Sequence, residues 1–103
     1  MALDFTQIDD EGIIINSIPI GIDAHAKIFD LMEENRYPFL ERIRDYYSDV
    51  QYSLKDLPGL RNDLTILRQN HLDDYNNLKL LDSMIKLVNE SISKELKIET
   101  IAD

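Results

Sequence analysis

The chain has no cysteine, only three glycines, and just eleven lysines and arginines against twenty aspartates and glutamates. Each shortage excludes something. Without cysteine there is no disulfide, no thiolate metal site and no cysteine nucleophile, a composition compatible with a reducing cytoplasm. The scattered glycines form no phosphate-cradling loop, and neither a nucleophile elbow nor a Ser/His/Asp arrangement falls in a recognisable frame. The longest uninterrupted apolar run is Ile13-Ile14-Ile15, far too short to cross a bilayer. Met1-Ala2-Leu3-Asp4 shows neither a basic segment nor an apolar stretch of the secretory type, so a soluble, cytoplasmic protein is expected. The shortage of basic residues opposes binding to nucleic acid or to an anionic membrane, both of which carry the same sign of charge.

What is present is acid, and it is unevenly placed. Residues 1–35 hold eight acids and only Lys27 as a base, net −7; residues 36–70 are net +1, and residues 71–103 net −3. Charge that served solubility alone would have no reason to collect in one third of the chain. The asymmetry therefore points to a surface that meets a basic partner, against the plainer reading of a solvated face. With 44% hydrophobic residues over 103 positions, residues 1–103 can bury one core and form a single domain.

Periodicity predicts an α+β fold. Leu3 and Phe5 alternate with Asp4 and Thr6, Asp9-Asp10-Glu11-Gly12 reads as a turn, and the β-branched run 13–18 returns as the second strand of an N-terminal β-hairpin. Because Ile13 to Ile15 are apolar on both sides, both faces are expected to be covered there. Asp23 is placed to cap a helix over about 24–36, with Ala24, Ile28, Leu31 and Met32 inward and Lys27, Asp30, Glu33 and Glu34 outward. Pro38 suits the start of a second helix, with Phe39, Leu40, Ile43, Tyr46 and Tyr47 on one side. Residues 50–54 alternate as a short third strand able to join the hairpin in a small antiparallel sheet. A third helix, capped by Asp56 but weakened at its start by Pro58 and Gly59, carries the stripe Leu57, Leu60, Leu64 and Leu67. The longest helix comes last, started by Asp73 or Asp74, with Leu78, Leu81, Ile85, Val88, Ile92 and Leu96 in one stripe. Ile98 and Ile101 add a final strand or a packed tail. About four helices thus cover the sheet.

The candidate chemistry is that of contact. His25 and His71 are too few for a metal site, no calcium-loop pattern is present, and His25 is expected at the rim of its helix. The acid pairs Asp9-Asp10 and Asp73-Asp74 have turn or cap roles that account for them, so no catalytic residue, cofactor or metal ligand is assigned and the chain is expected not to be an enzyme. The candidate partner-binding residues are Asp10, Glu11, Asp30, Glu33, Glu34, Asp45, Tyr46, Tyr47 and Asp49. Tyr46 and Tyr47 have two readings, core packing with the hydroxyl at the rim or interface anchoring.

A hairpin leading through Pro19-Ile20-Gly21-Ile22 into a helix, then Asp45-Tyr46-Tyr47-Ser48-Asp49 and Asp56-Leu57-Pro58-Gly59-Leu60 before a long terminal helix, resembles the small acidic immunity proteins of bacterial contact-dependent and polymorphic toxin systems. The resemblance is one of size, charge and layout and carries no residue role across. It implies a cytoplasmic protein without chemistry of its own that neutralises a toxin domain delivered by a neighbouring cell. The acidic surface separately points to a basic partner domain, most simply a nuclease, blocked stoichiometrically. An acidic adaptor or regulatory subunit of a cellular complex is the alternative. Homo-oligomerisation is compatible with either and indicated by neither.

Overall fold

The computed structural model describes residues 3–71 and 75–102. Its frame is a four-stranded antiparallel sheet in the order β2-β1-β4-β3, from β1 (Leu3–Ile8), β2 (Ile14–Ile20), β3 (Val50–Tyr52) and β4 (Lys97–Ala102). The N-terminal hairpin forms as the alternation predicts, with Phe5 opposite Ile18 and Leu3 opposite Ile20. The last strand forms too, and takes a central place: Leu3 pairs with Ala102 and Ile8 with Lys97 along the other side of β1. β3 therefore pairs with β4 and does not join the hairpin directly.

Because side chains alternate across a strand, Leu3, Phe5 and Gln7 share one face with Ile18 and Ile20 of β2 and Ile98 and Thr100 of β4. This face carries the core. Leu3, Phe5, Ile20, Tyr52 and Ile98 belong to one cluster with the apolar sides of the helices. Ile8 and Ile14, which pair on the opposite face, lie outside that cluster.

Among the described residues three α-helices and one short 3-10 turn supply the cover, fewer full helices than the periodicity suggests. Helix α1 (Ile22–Leu31) starts two residues early and stops five residues short of expectation. Its N-cap is Gly21, with no side-chain cap, so Asp23 lies in the first turn and does not serve as the cap. Asn35, at φ 66, turns the chain after the helix, and short polar Asn tolerates that conformation better than most residues. After Pro38 only a 3-10 turn forms, over Leu40–Ile43, in place of a helix reaching Tyr47.

Helix α2 (Leu57–His71) is as its pattern predicts: Leu57, Leu60, Leu64 and Leu67 are fully buried, each contributing about 1.5–3 kcal/mol over an exposed side chain. Helix α3 (Tyr75–Lys94) is the longest. Its buried line runs through Asn77, Leu81, Met84, Val88 and Ser91, leaving Ile85 and Ile92 at the flank and Leu96 past its end. The start signals Asp73 and Asp74 lie outside the described residues. Helix α3 ends where Glu95 takes φ 56 and Leu96 N–H donates to the Ser91 carbonyl at 2.9 Å, which turns the chain into β4.

Two polar contacts fix the helices to one another and to the sheet. The buried carboxylate of Asp63 accepts the backbone N–H groups of Phe39 (2.8 Å) and Leu40 (3.0 Å), satisfying donors that open the 3-10 turn. Gln7, buried in β1, donates to Ser91 Oγ of α3 at 2.9 Å.

Candidate functional site

The hairpin loop holds its own shape. Asp9 Oδ1 accepts the N–H groups of Glu11 and Ile13, both at 2.9 Å, while Gly12 takes φ 80 and donates to the Asp9 carbonyl. Glycine supplies that positive φ without steric cost. Asp9 thus holds the turn, and the side chains of Asp10 and Glu11 project into solvent with no hydrogen-bond or ion-pair partner among the described residues.

Beside the loop lies a cleft of about 470 Å3. Its walls bring Asp9, Asp10 and Glu11 together with Asp56 and Glu99, five carboxylates against a single lysine, Lys97. Besides Asp9, held by its turn, two more of the five are engaged. Arg42 Nη1 donates to Asp56 at 3.1 Å and Ser53 N–H at 3.0 Å, which hold that carboxyl below its ordinary pKa. Glu99 accepts Gln51 Nε2 at 3.1 Å. Only Asp56 is paired with a cation, Arg42, so Asp9, Asp10, Glu11 and Glu99 together keep the cleft net negative against Lys97.

The remaining candidate residues do not join this cleft. Asp30, Glu33 and Glu34 are exposed, but the latter two follow α1 and are not on it. Arg36 Nη1 lies 2.9 Å from Glu33, and Arg44, whose own ion pair is with Glu41, sits within the field of Glu34 and Asp30, so the strip is neutralised chiefly at Glu33. Asp49 accepts the N–H of Ala102 at 2.8 Å, at the end of β4 away from Lys97. A six-residue strand separates these ends by roughly 17 Å at 3.4 Å per residue. Asp45 accepts Ser48 Oγ and Tyr47 N–H, and these bonds, the hydroxyl first, hold its carboxyl below the usual range.

The two tyrosines separate. Tyr46 is buried and its hydroxyl donates to the Ile20 carbonyl at 2.9 Å, so it is a core residue and offers no surface anchor. Tyr47, expected on the same apolar side, is 62% exposed because the 3-10 turn ends before it. His25 is not at a rim either. It is buried between the rings of Phe29 and Tyr46, with Nε2 2.7 Å from the Ile43 carbonyl.

Sequence reasoning missed two things. Asp56 and Glu99 enter the cleft only because β4 lies between β1 and β3, a pairing no local pattern announces. Ile13, Ile14 and Ile15, expected to be covered on both faces, are 56%, 50% and 46% exposed. Their β-branched run gives a strand, but β2 is an edge strand with an irregular register between Gln7 and Ile8, and about half of each side chain stays exposed.

Among the described residues no three histidines, aspartates or glutamates converge to hold a metal ion. No described helix is long and apolar enough to cross a membrane. Comparison with protein-family models, curated proteins and solved structures finds no match.

Proposed function

We propose that the protein is a stoichiometric inhibitor, an immunity protein that binds a basic toxin domain, most simply a nuclease, and covers the surface that would hold the phosphate backbone. The observation that carries this reading is the cleft in which Asp10 and Glu11 stand unneutralised beside Asp56 and Glu99. Such a cleft accepts an arginine or lysine side chain. Its field raises the encounter rate with a basic surface and discourages acidic ones, while apolar contacts around it supply residence time. On this reading the chain acts in the cytoplasm, performs no reaction and needs no cofactor.

The test is affinity capture of the tagged protein from its own host, washed at low and then high salt, with the bound proteins identified by mass spectrometry. A one-to-one complex with a basic domain from the end of a very large secreted protein, associating more slowly as salt rises, is the expected result. A housekeeping enzyme or assembly as the sole partner, held regardless of salt, would overturn it. That outcome belongs to the second reading, an adaptor subunit, which the half-exposed isoleucines 13–15 favour because apolar interfaces resist salt.

A further inference from the structure

A sheet edge is a row of backbone N–H and C=O groups without a partner strand, and proteins ordinarily blunt it with charge, proline or a covering element. β2 is such an edge, with no strand beyond it among the described residues. From Ile13 to Ile22 it bears no charged side chain at all. Its protective features stand at its two ends: the register irregularity near Ile14, and Pro19, which lacks an N–H. Between them Asn16 and Ser17 are exposed and Ile18 half-buried.

Alongside this stretch runs a depression of about 210 Å3, walled by Asn16, Ser17 and Ile18 on the strand and by Ser83, Lys86, Leu87 and Glu90 on α3. If a strand is added to β2, alternate side chains point toward the helix layer, and this depression lies where they would enter. Ile18, half-buried, offers it apolar surface above the nearly covered Leu87, and Lys86 and Glu90 give it charges of both signs. We propose that the β2 edge and the adjoining flank of α3 form a groove that takes an extended segment of a basic protein as a fifth strand.

Charge selects the occupant. Asp10 and Glu11 lie just before the start of β2 and Asp23 just after its end, all three exposed. The segment that fits is therefore β-branched in its middle and bears lysine or arginine at its ends. A second copy of this chain is disfavoured because each copy carries a net charge of −9. The choice of a basic occupant rests on the inhibitor reading above, whereas the groove itself does not.

The probe is a short capped peptide of alternating valine and threonine with lysine at each end, beside the same peptide with glutamate at each end. Both are titrated into the isotope-labelled full chain and followed through its backbone amide resonances. The lysine-ended peptide is expected to shift the amides of residues 13–18 and 83–90, and the glutamate-ended one to bind about tenfold more weakly. The double variant Ile14→Lys, Ser17→Lys is expected to abolish the response with an unchanged melting temperature. If that variant does not fold, the mapping on the wild-type chain decides alone. Equal response to both peptides, shifts confined to another surface, or a dimer of the unliganded protein in sedimentation would each overturn the proposal. The two ideas fail separately: the peptides contain no toxin, so the inhibitor reading falls in the capture experiment and the groove falls here.

Discussion

Gln7 in the middle of the sheet donates through Nε2 to Ser91 Oγ in the last helix at 2.9 Å, and both residues are buried. The contact is one link of a chain. Ser91 Oγ donates onward to the Leu87 carbonyl at 2.8 Å, and Gln7 Oε1 accepts Asn16 Nδ2 of β2 at 2.8 Å. A polar relay thus ties α3 to the central strand and the central strand to the edge strand. It also sets the spacing of β2 and α3 on either side of the proposed groove. Ser91→Ala is expected to cost about 1–3 kcal/mol in urea unfolding, the price of leaving the Gln7 amide buried without its acceptor. A loss below a few tenths of a kcal/mol would show that the relay is dispensable.

Gly59→Ala separates helix propensity from packing. Alanine in place of glycine inside a helix gains about 1 kcal/mol by propensity alone. Here a Cβ at residue 59 would overlap the ring of Phe39, so the ring would have to move. Such overpacking costs about 1–3 kcal/mol, and the expected net outcome is a lower melting temperature. A higher one would mean that the Phe39 ring moves aside without cost.

Asp56 gives a sign for the acid limb. Its carboxyl is held below its ordinary value, chiefly by the Arg42 hydrogen bond and then by the Ser53 N–H. A carboxylate whose folded pKa is depressed stabilises the fold above its unfolded value, near 3.9, and loses that contribution as pH falls through the folded value. Asp56→Asn should therefore lower the urea midpoint at neutral pH and flatten its decline below about pH 4. Parallel midpoint curves for the variant and the parent over that range would sink the assignment.

The two acidic regions should differ in their kinetics with a basic partner. Asp10→Lys with Glu11→Lys is expected to slow association about tenfold or more at low salt. Reversal of Asp30, Glu33 and Glu34 together is expected to do less per charge, because Arg36 already offsets that strip at Glu33. Stopped-flow association rates measured across a salt series decide it; a larger effect per charge from the α1 side would move the contact surface there.

Much of the fold is legible locally. The turn at Asp9 to Gly12, the hairpin around it, the leucine stripe of α2 and the long final helix all follow from periods of two or of about three and a half residues, which short stretches of chain express by themselves. The candidate site is legible only in part. Asp10 and Glu11 stand out in any tally of charge, yet Asp56 reads as a helix cap and no local pattern singles out Glu99.

The sequence by itself determined the α+β class, the acidic first third and the set of side chains able to form a core. Only the tertiary structure decided that β4 runs between β1 and β3, pairing Leu3 with Ala102, and so closes an acidic cleft. It decided too that Tyr46 turns inward to the Ile20 carbonyl while Tyr47 faces solvent, and that Ile13 to Ile15 lie at an open edge. The physical reason is range. Periodicity is set by neighbours a few residues apart, whereas strand order and the exposure of an edge depend on which distant segments bury the most surface together, a competition that no local window contains.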